Sequence, residues 1–358
     1  MKHQNAIRWS VCLISFSLTS LAFGQSARTP EEIALLKFFP AAQNNQFAVG
    51  ARPATVVFDG SSIWVGNTQG RSLTKLRASD GAVLGAFPTP DVPGALVFDG
   101  ANIWVTNVEQ RSVTKVRASD GKWLGIFPVG LTPFALAFDG ANIWVANTGE
   151  STITKLRASD GTKLGTFPTG LGPRAVAFDG TNIWVVNGGA NTVTKLRASD
   201  GANLGTFATG VQPARIAFDG SSMWIVNQGE STVTKLRAAD GLEEGRFAVG
   251  NDPNAIAFDG TSVWISNFSD NAIIQLRVTD GARLGTFPTG IGPVGIAFDG
   301  ANIWVANNGD GTVTKLLATT GAVVGTYTVG TQPMYLVFDG ANIWVSNFYD
   351  GSGTVSKL

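Results

Sequence analysis

The chain of 358 residues carries 26 basic and 26 acidic side chains, and only 15% of its positions are charged, against roughly 25% in an average globular domain. Sparse, balanced charge argues against a protein that works through a basic surface, so no nucleic-acid partner is expected. A single Cys and a single His, Cys12 and His3, leave no material for a zinc cluster or a disulfide framework.

In chain order, the first element is residues 1–24. Lys2, His3 and Arg8 precede an apolar run over 11–21, and Ala22-Phe23-Gly24 then places small residues where a signal peptidase reads. This pattern predicts a cleaved secretory signal over 1–24, with an alternative cut after Ala22. The run is shorter than the ~20 residues of a membrane span, and no second such run follows. A periplasmic or secreted protein without a membrane span is expected. Cleavage removes Lys2, Arg8, His3 and Cys12, which leaves 24 basic against 26 acidic residues, a net charge of −2, and neither thiol nor imidazole. Over 25–44, Thr29-Pro30-Glu31-Glu32 supplies a cap, a first-turn Pro and early acids ahead of 33–39, which predicts a two-turn helix.

From residue 45 to 358 the sequence repeats. Phe-Asp-Gly begins at Phe58, Phe98, Phe138, Phe178, Phe218, Phe258, Phe298 and Phe338, a constant spacing of 40, and a Trp follows six positions after each Phe. Within one unit, apolar segments at 135–138, 143–146, 152–157 and 164–168 alternate with Gly, Asp, Asn, Ser and Pro. Asp-Gly between such segments marks a tight reversal, because Gly accepts a positive φ. Four strands and four turns account for the period, and one such sheet cannot cover its own faces. The expected fold is therefore all-β, an eight-bladed β-propeller of four-stranded antiparallel blades, with Phe and Trp filling the gaps between blades. The chain stops at a third strand, while residues 45–50, Asn-Gln-Phe-Ala-Val-Gly, match the fourth strand at 245–250. The N-terminal strand should thus close the last blade and leave a ring without a free edge.

The pattern IWVAN…STITKLRASDGTKLGTFPTGLGPRAVAFDG resembles the YVTN-type repeat of secreted bacterial β-propellers, with Trp-Val-Ala-Asn where Tyr-Val-Thr-Asn usually stands. It is similar, less closely, to NHL-type propellers and to streptogramin lyases. The resemblance covers residues 45–358 and implies the fold; it does not imply one function, since such propellers host unrelated activities. A lyase of that kind relies on His with a divalent metal, and the mature chain has no His for the role.

Several periodic residues read as structural. The Asp of each Phe-Asp-Gly is expected to cap its own turn. The Asn ending each second strand, Asn67 and its equivalents, should bond a neighbouring loop's backbone. The Lys series, Lys75 and its equivalents, reads as solvated or paired with turn Asp residues. Departures from the repeat are more informative, and they fall in two loop sets that a meander places at one end of the strands. Around the Pro opening each innermost strand, Arg52, Phe134, Arg174, Arg215, Asp252, Asn254, Met334 and Tyr335 stand out. After the second strand, Arg71, Glu109, Glu150, Asn191, Glu230, Asp270, Asp310 and Tyr349 do so. The first group forms the candidate ligand-binding set, at the mouth of the central channel; neutral drift in exposed loops is the competing explanation. The expected function is a binding or interaction scaffold, monomeric, without cofactor or metal, whose partner is a protein, a glycan or a small molecule. The alternative is a propeller enzyme, streptogramin-lyase-like or another lyase or hydrolase, with catalytic residues other than His.

Overall fold

The computed structural model describes residues 45–349 and 353–358; the signal and short helix expected within 1–44 lie outside them. The described residues form thirty-two strands, β1 to β32 in chain order, and no helix. They build eight four-stranded sheets. The first sheet is β2 (Pro53–Phe58), β3 (Ser62–Asn67), β4 (Ser72–Arg77) and β5 (Val83–Pro88), in meander order. Six further sheets repeat that order. The eighth comprises β30 (Pro333–Phe338), β31 (Ile343–Asn347) and β32 (Thr354–Lys357), and β1 (Asn45–Ala48) supplies its fourth strand, with Phe47 opposite Val355. The innermost strands β2, β6 (Pro93–Phe98), β10 (Pro133–Phe138), β14 (Pro173–Phe178), β18 (Pro213–Phe218), β22 (Pro253–Phe258), β26 (Pro293–Phe298) and β30 touch one another in sequence, and β30 meets β2. The ring is closed. Free edges nevertheless persist, contrary to expectation, because the outermost strand of each sheet, such as β5, pairs on one side only. Seven of those strands are six residues long and β1 is four, and β5 ends in Pro88; short length and a terminal Pro both discourage pairing with another chain.

Second and third strands read as nearly continuous buried segments because a neighbouring blade covers each face. Trp64 of the first blade packs with Ile103, Val105 and Val116 of the second. Trp344 of the eighth packs with Ile63, Val65 and Leu76 of the first, which closes the circle. Each Trp also lies against the aromatic ring of its blade's fourth strand, with centroids 5.3 Å apart for Phe47 and Trp344 and 5.8 Å for Trp184 and Phe207. Such pairs contribute about 1 kcal/mol beyond buried area.

A buried indole N–H needs an acceptor. The Asp of Phe-Asp-Gly provides it: Trp184 Nε1 donates to Asp179 Oδ2 at 2.8 Å, and the other seven units do the same. Asp179 Oδ1 meanwhile accepts from the N–H groups of Thr181 at 2.8 Å and Asn182 at 2.6 Å. The turn cap is present as expected, and the indole bond adds to it. Burial pushes the Asp179 carboxyl upward, but the hydrogen bonds from Trp184, Asn182 and Thr181 outweigh it, and the pKa lies below the usual value. Asp299 and Asp339 are lowered by the same balance.

The glycine of the second Asp-Gly turn serves a neighbour as well as its own backbone. Gly161 has φ 79°, and a Cβ there would stand 1.9 Å from Phe127 Cε1 of the preceding blade. Only Gly permits that approach.

The Lys series departs from expectation. Lys75 is 6% exposed, and its Nζ donates to the carbonyls of Ala118 at 2.6 Å and Ser119 at 3.0 Å in the next blade. Lys115, Lys155, Lys195 and Lys357 make the equivalent bonds, the last of them to Ala78 and Ser79 across the closing seam. Each ammonium also lies over its blade's Trp, at 5.1 Å for Lys155 and Trp144. Burial lowers the Lys155 pKa, opposed by Asp139 and Asp200. These lysines join blades. The Asn series differs too. Asn187 Nδ2 donates to the hydroxyls of Thr192 at 3.0 Å and Thr194 at 2.9 Å within its own blade. Asn147 alone among them has a described bond from a neighbouring loop, the Gly130 N–H at 3.0 Å. All eight are fully buried, so they form no binding ring.

Candidate functional site at the channel mouth

The two variable loop sets meet at one end of the ring. The N–H one position after the second-strand Asn donates to the carbonyl just before the innermost-strand Pro, as from Thr68 to Arg52 at 2.9 Å and from Phe268 to Asp252 at 3.0 Å. In seven of the eight blades the residue before Pro takes a left-handed conformation, with φ 54° at Arg52, 51° at Asp252 and 65° at Gly172; Val92 of the second blade does not. The bond uses backbone only, so the side chain there varies freely.

That geometry directs Arg52 and Asp252 away from the channel. Arg52 stacks on Tyr349, 4.6 Å from its centroid, and donates to the Tyr349 hydroxyl at 2.8 Å across the closing seam. Asp252 accepts a bond from the Ser269 hydroxyl in its own blade. Neither lines the channel cavity.

Much of the variation in the outer loop set is also accounted for by contacts between loops. Asp270 accepts from the N–H and side-chain amide of Asn251 at 2.7 and 2.8 Å. Asp310 accepts from the Ile291 N–H at 2.7 Å, and Asn191 from the Gln212 N–H at 2.8 Å. Glu150 and Glu230 accept from Thr152 at 2.9 Å and Thr232 at 2.7 Å, while Arg71 and Glu109 form an exposed pair at 3.5 Å. In the second blade the buried Asp91 binds the N–H groups of Glu109 and Gln110 at 2.6 and 2.9 Å. Different side chains thus tie these loops, some within one loop and some to a neighbouring loop.

The remaining six candidates come together. Each innermost strand bulges just after its Pro, where pairing skips from Pro173 to Ala175 in β14 and from Pro333 to Leu336 in β30. A bulge re-aims side chains, and both the first and second positions after Pro contribute to the cavity wall. Phe134, Arg174, Arg215, Met334 and Tyr335 line a cavity of about 460 Å³, whose floor includes Val56, Leu96, Leu136 and Val176. Asn254 lines an adjoining lobe of about 250 Å³ with Val294 and Ile296. Arg215, Met334 and Tyr335 border both lobes. The larger lobe falls within the range of small-molecule sites, roughly 300–1,000 Å³.

Two further residues support this set. A Cβ on Gly188 would stand 2.7 Å from Arg174 Cδ, so the missing side chain makes room for the arginine stem. Ser346 Oγ accepts the Tyr335 N–H at 3.1 Å and replaces the ladder bond lost at the bulge. The first signal was legible: the position after the second-strand Asn holds Thr68, Val108, Thr148, Gly188, Gln228, Phe268, Asn308 and Phe348, and Gly stands only in the Arg174 blade.

Electrostatically the mouth is one-sided. No carboxylate lines either lobe. Among the described residues, Arg174 has no hydrogen-bond or ionic partner, and Arg215 donates only to the Ala214 carbonyl, at 3.2 Å. The repeated arginines at the other end of the ring are each tied to an acid, as Arg157 is to Asp160 at 3.0 Å and Arg197 to Asp200 at 2.9 Å. Phe134 and Tyr335 are 48% and 39% exposed, large aromatic surfaces at the mouth of a cavity.

Neither a protein-family profile nor a curated protein matches the chain. Solved structures do. The chain is similar to BamB from Moraxella catarrhalis, at 13% identity and TM-score 0.71 over 88% of this chain and 98% of that one. It is similar to a streptogramin B lyase at 18% identity and TM-score 0.58, over 74% and 93% of the two chains. It is also similar to the dihydro-heme d1 dehydrogenase NirN at 15% identity and TM-score 0.70, over 87% and 77%. The likeness shows a β-propeller fold shared by proteins of different roles, and no single activity. No helix among the described residues is long and apolar enough to cross a membrane.

Proposed function

We propose that the protein is a periplasmic or secreted binding module, a monomeric propeller of the YVTN-repeat kind that receives its ligand at the channel mouth on the loop face. The observation that carries this reading is the cavity bounded by Phe134, Arg174, Arg215, Met334 and Tyr335, where exposed aromatic rings and two cations without an acidic partner share an apolar floor. Structural demands explain the rim departures, but no bond within the protein accounts for Arg174. The basic start and apolar run of residues 1–24 support delivery across the inner membrane.

Binding is favoured over catalysis by the cavity's chemistry. Its walls hold no carboxylate and no imidazole, which leaves the Tyr335 phenol and the two guanidinium groups as the ionisable side chains at the site. Cleavage of a streptogramin lactone by the purified protein would reverse this preference.

The test is a thermal-shift panel on residues 25–358 against sugars, cell-wall fragments, nucleotides and small organic acids, run in parallel on the Arg174→Ala/Arg215→Ala variant. A compound that stabilises the wild type and not the variant is expected, by the linkage between binding and folding. Equal stabilisation of both proteins would move the site elsewhere.

A further inference from the structure

The first position after Pro runs Ala54, Gly94, Phe134, Arg174, Ala214, Asn254, Val294 and Met334 around the ring, and the second position adds Arg215 and Tyr335. The polar groups are not scattered. Arg174, Arg215 and Asn254 occupy three consecutive blades, while the side chains on the arc from Val294 through Met334 to Phe134 are apolar apart from the hydroxyls of Tyr335, Thr55 and Thr68. β14 and β18 are in contact, so Arg174 and Arg215 project from neighbouring strands.

Two like charges on adjacent strands repel unless an anion lies between them. The protein supplies none: the lining has no carboxylate, Asp252 is turned to Ser269, and Gly188 clears space for the Arg174 stem instead of giving it a partner. A guanidinium presents a planar fork of donors that fits a carboxylate or phosphate in two-point fashion. Around the same wall, the larger lobe offers Leu96, Leu136, Val56 and the Phe134 ring, a surface for a hydrocarbon or aromatic body.

Resting on the reading of the channel mouth as the binding site, we propose that its ligand is a small amphipathic organic anion. The anionic head sits at Arg174 and Arg215, and the apolar body fills the larger lobe against Phe134 and Met334. Sugars and other polar neutral molecules are disfavoured, because they would leave both guanidinium groups uncompensated and wet the apolar arc.

Isothermal titration of the purified protein with octanoate, octyl phosphate, octanol and octylammonium tests this. Both anions are expected to bind, octanol at least tenfold more weakly, and octylammonium not measurably. Comparison of the two anions identifies the preferred head group. In Arg174→Gln/Arg215→Gln the ratio of octanoate to octanol affinity should fall at least tenfold, and in Phe134→Ala/Met334→Ala all binding should weaken, with melting temperatures confirming that both variants fold. If octanol binds as well as octanoate and only the Phe134/Met334 pair matters, the channel remains the site and the anionic class is wrong. If none of the four binds, or neither variant pair alters binding, the ligand class and the channel reading both fall.

Discussion

The two ends of the ring obey different rules. At the turn end each blade repeats the same Asp and Trp, because a side chain completes a bond that nothing else can make: Asp179 is the acceptor for the buried Trp184 indole and the cap of its own turn. At the loop end the recurring bond runs between backbone groups, as from Gly188 N–H to the Gly172 carbonyl at 2.9 Å, and side chains vary over it. Sequence is repeated where side chains are structural and released where backbone is. Within the released set, rim residues such as Asp270 and Asp310 recover a structural role, whereas Arg174 and Phe134 do not.

Breaking the turn end should have the largest effect. Asp179→Ala strands a buried indole donor and uncaps two N–H groups, with an expected loss of about 3 kcal/mol in urea denaturation. Removing the indole donor as well, in Asp179→Ala/Trp184→Phe, should add less than the sum of the single losses, because the two residues share one bond. A loss below ~1 kcal/mol for Asp179→Ala would place the stability of the ring elsewhere.

A smaller effect of the same bonds is expected in acid. Asp179, Asp299 and Asp339 have folded pKa values below the ordinary one. A depressed carboxyl contributes stability above its unfolded pKa, near 3.9, and loses it as pH falls through the folded value. The melting temperature should therefore hold between pH 7 and 5 and drop below about pH 4, with a shallower drop in Asp179→Asn. An identical acid limb in that variant would assign the acid sensitivity to other groups.

The fold was legible because a spacing of 40 residues without a slip leaves little freedom, and the match of 45–50 to 245–250 revealed how the ring closes. The lysines were not legible, because their acceptors lie 43 and 44 residues away in the next unit, as for Lys155 with Ala198 and Ser199. Read within one unit, a periodic Lys resembles a solvated charge. The channel set was legible as departures from the repeat, and the bulge after Pro explains why Arg174 and Arg215, at different positions in their strands, reach the same cavity. Arg52 and Asp252 belonged to the same departures but occupy the left-handed position before Pro, which faces the rim. Gly188 is readable only by aligning the blades, because one more glycine carries no mark of its own in a glycine-rich chain.

The smallest effect on stability is expected at the channel, and it tests the division of labour most directly. A variant with Phe134, Arg174, Arg215, Asn254, Met334 and Tyr335 all changed to Ala should be compared with wild type by thermal melting. None of the six makes a side-chain hydrogen bond to another blade, and all line open cavity. A melting temperature within about 4 °C of wild type is expected, the shift that roughly 1–2 kcal/mol produces in a chain of this size. A collapse of the melting transition would show that these residues hold the ring together, and would contradict the assignment of repetition to the frame and departure to the site.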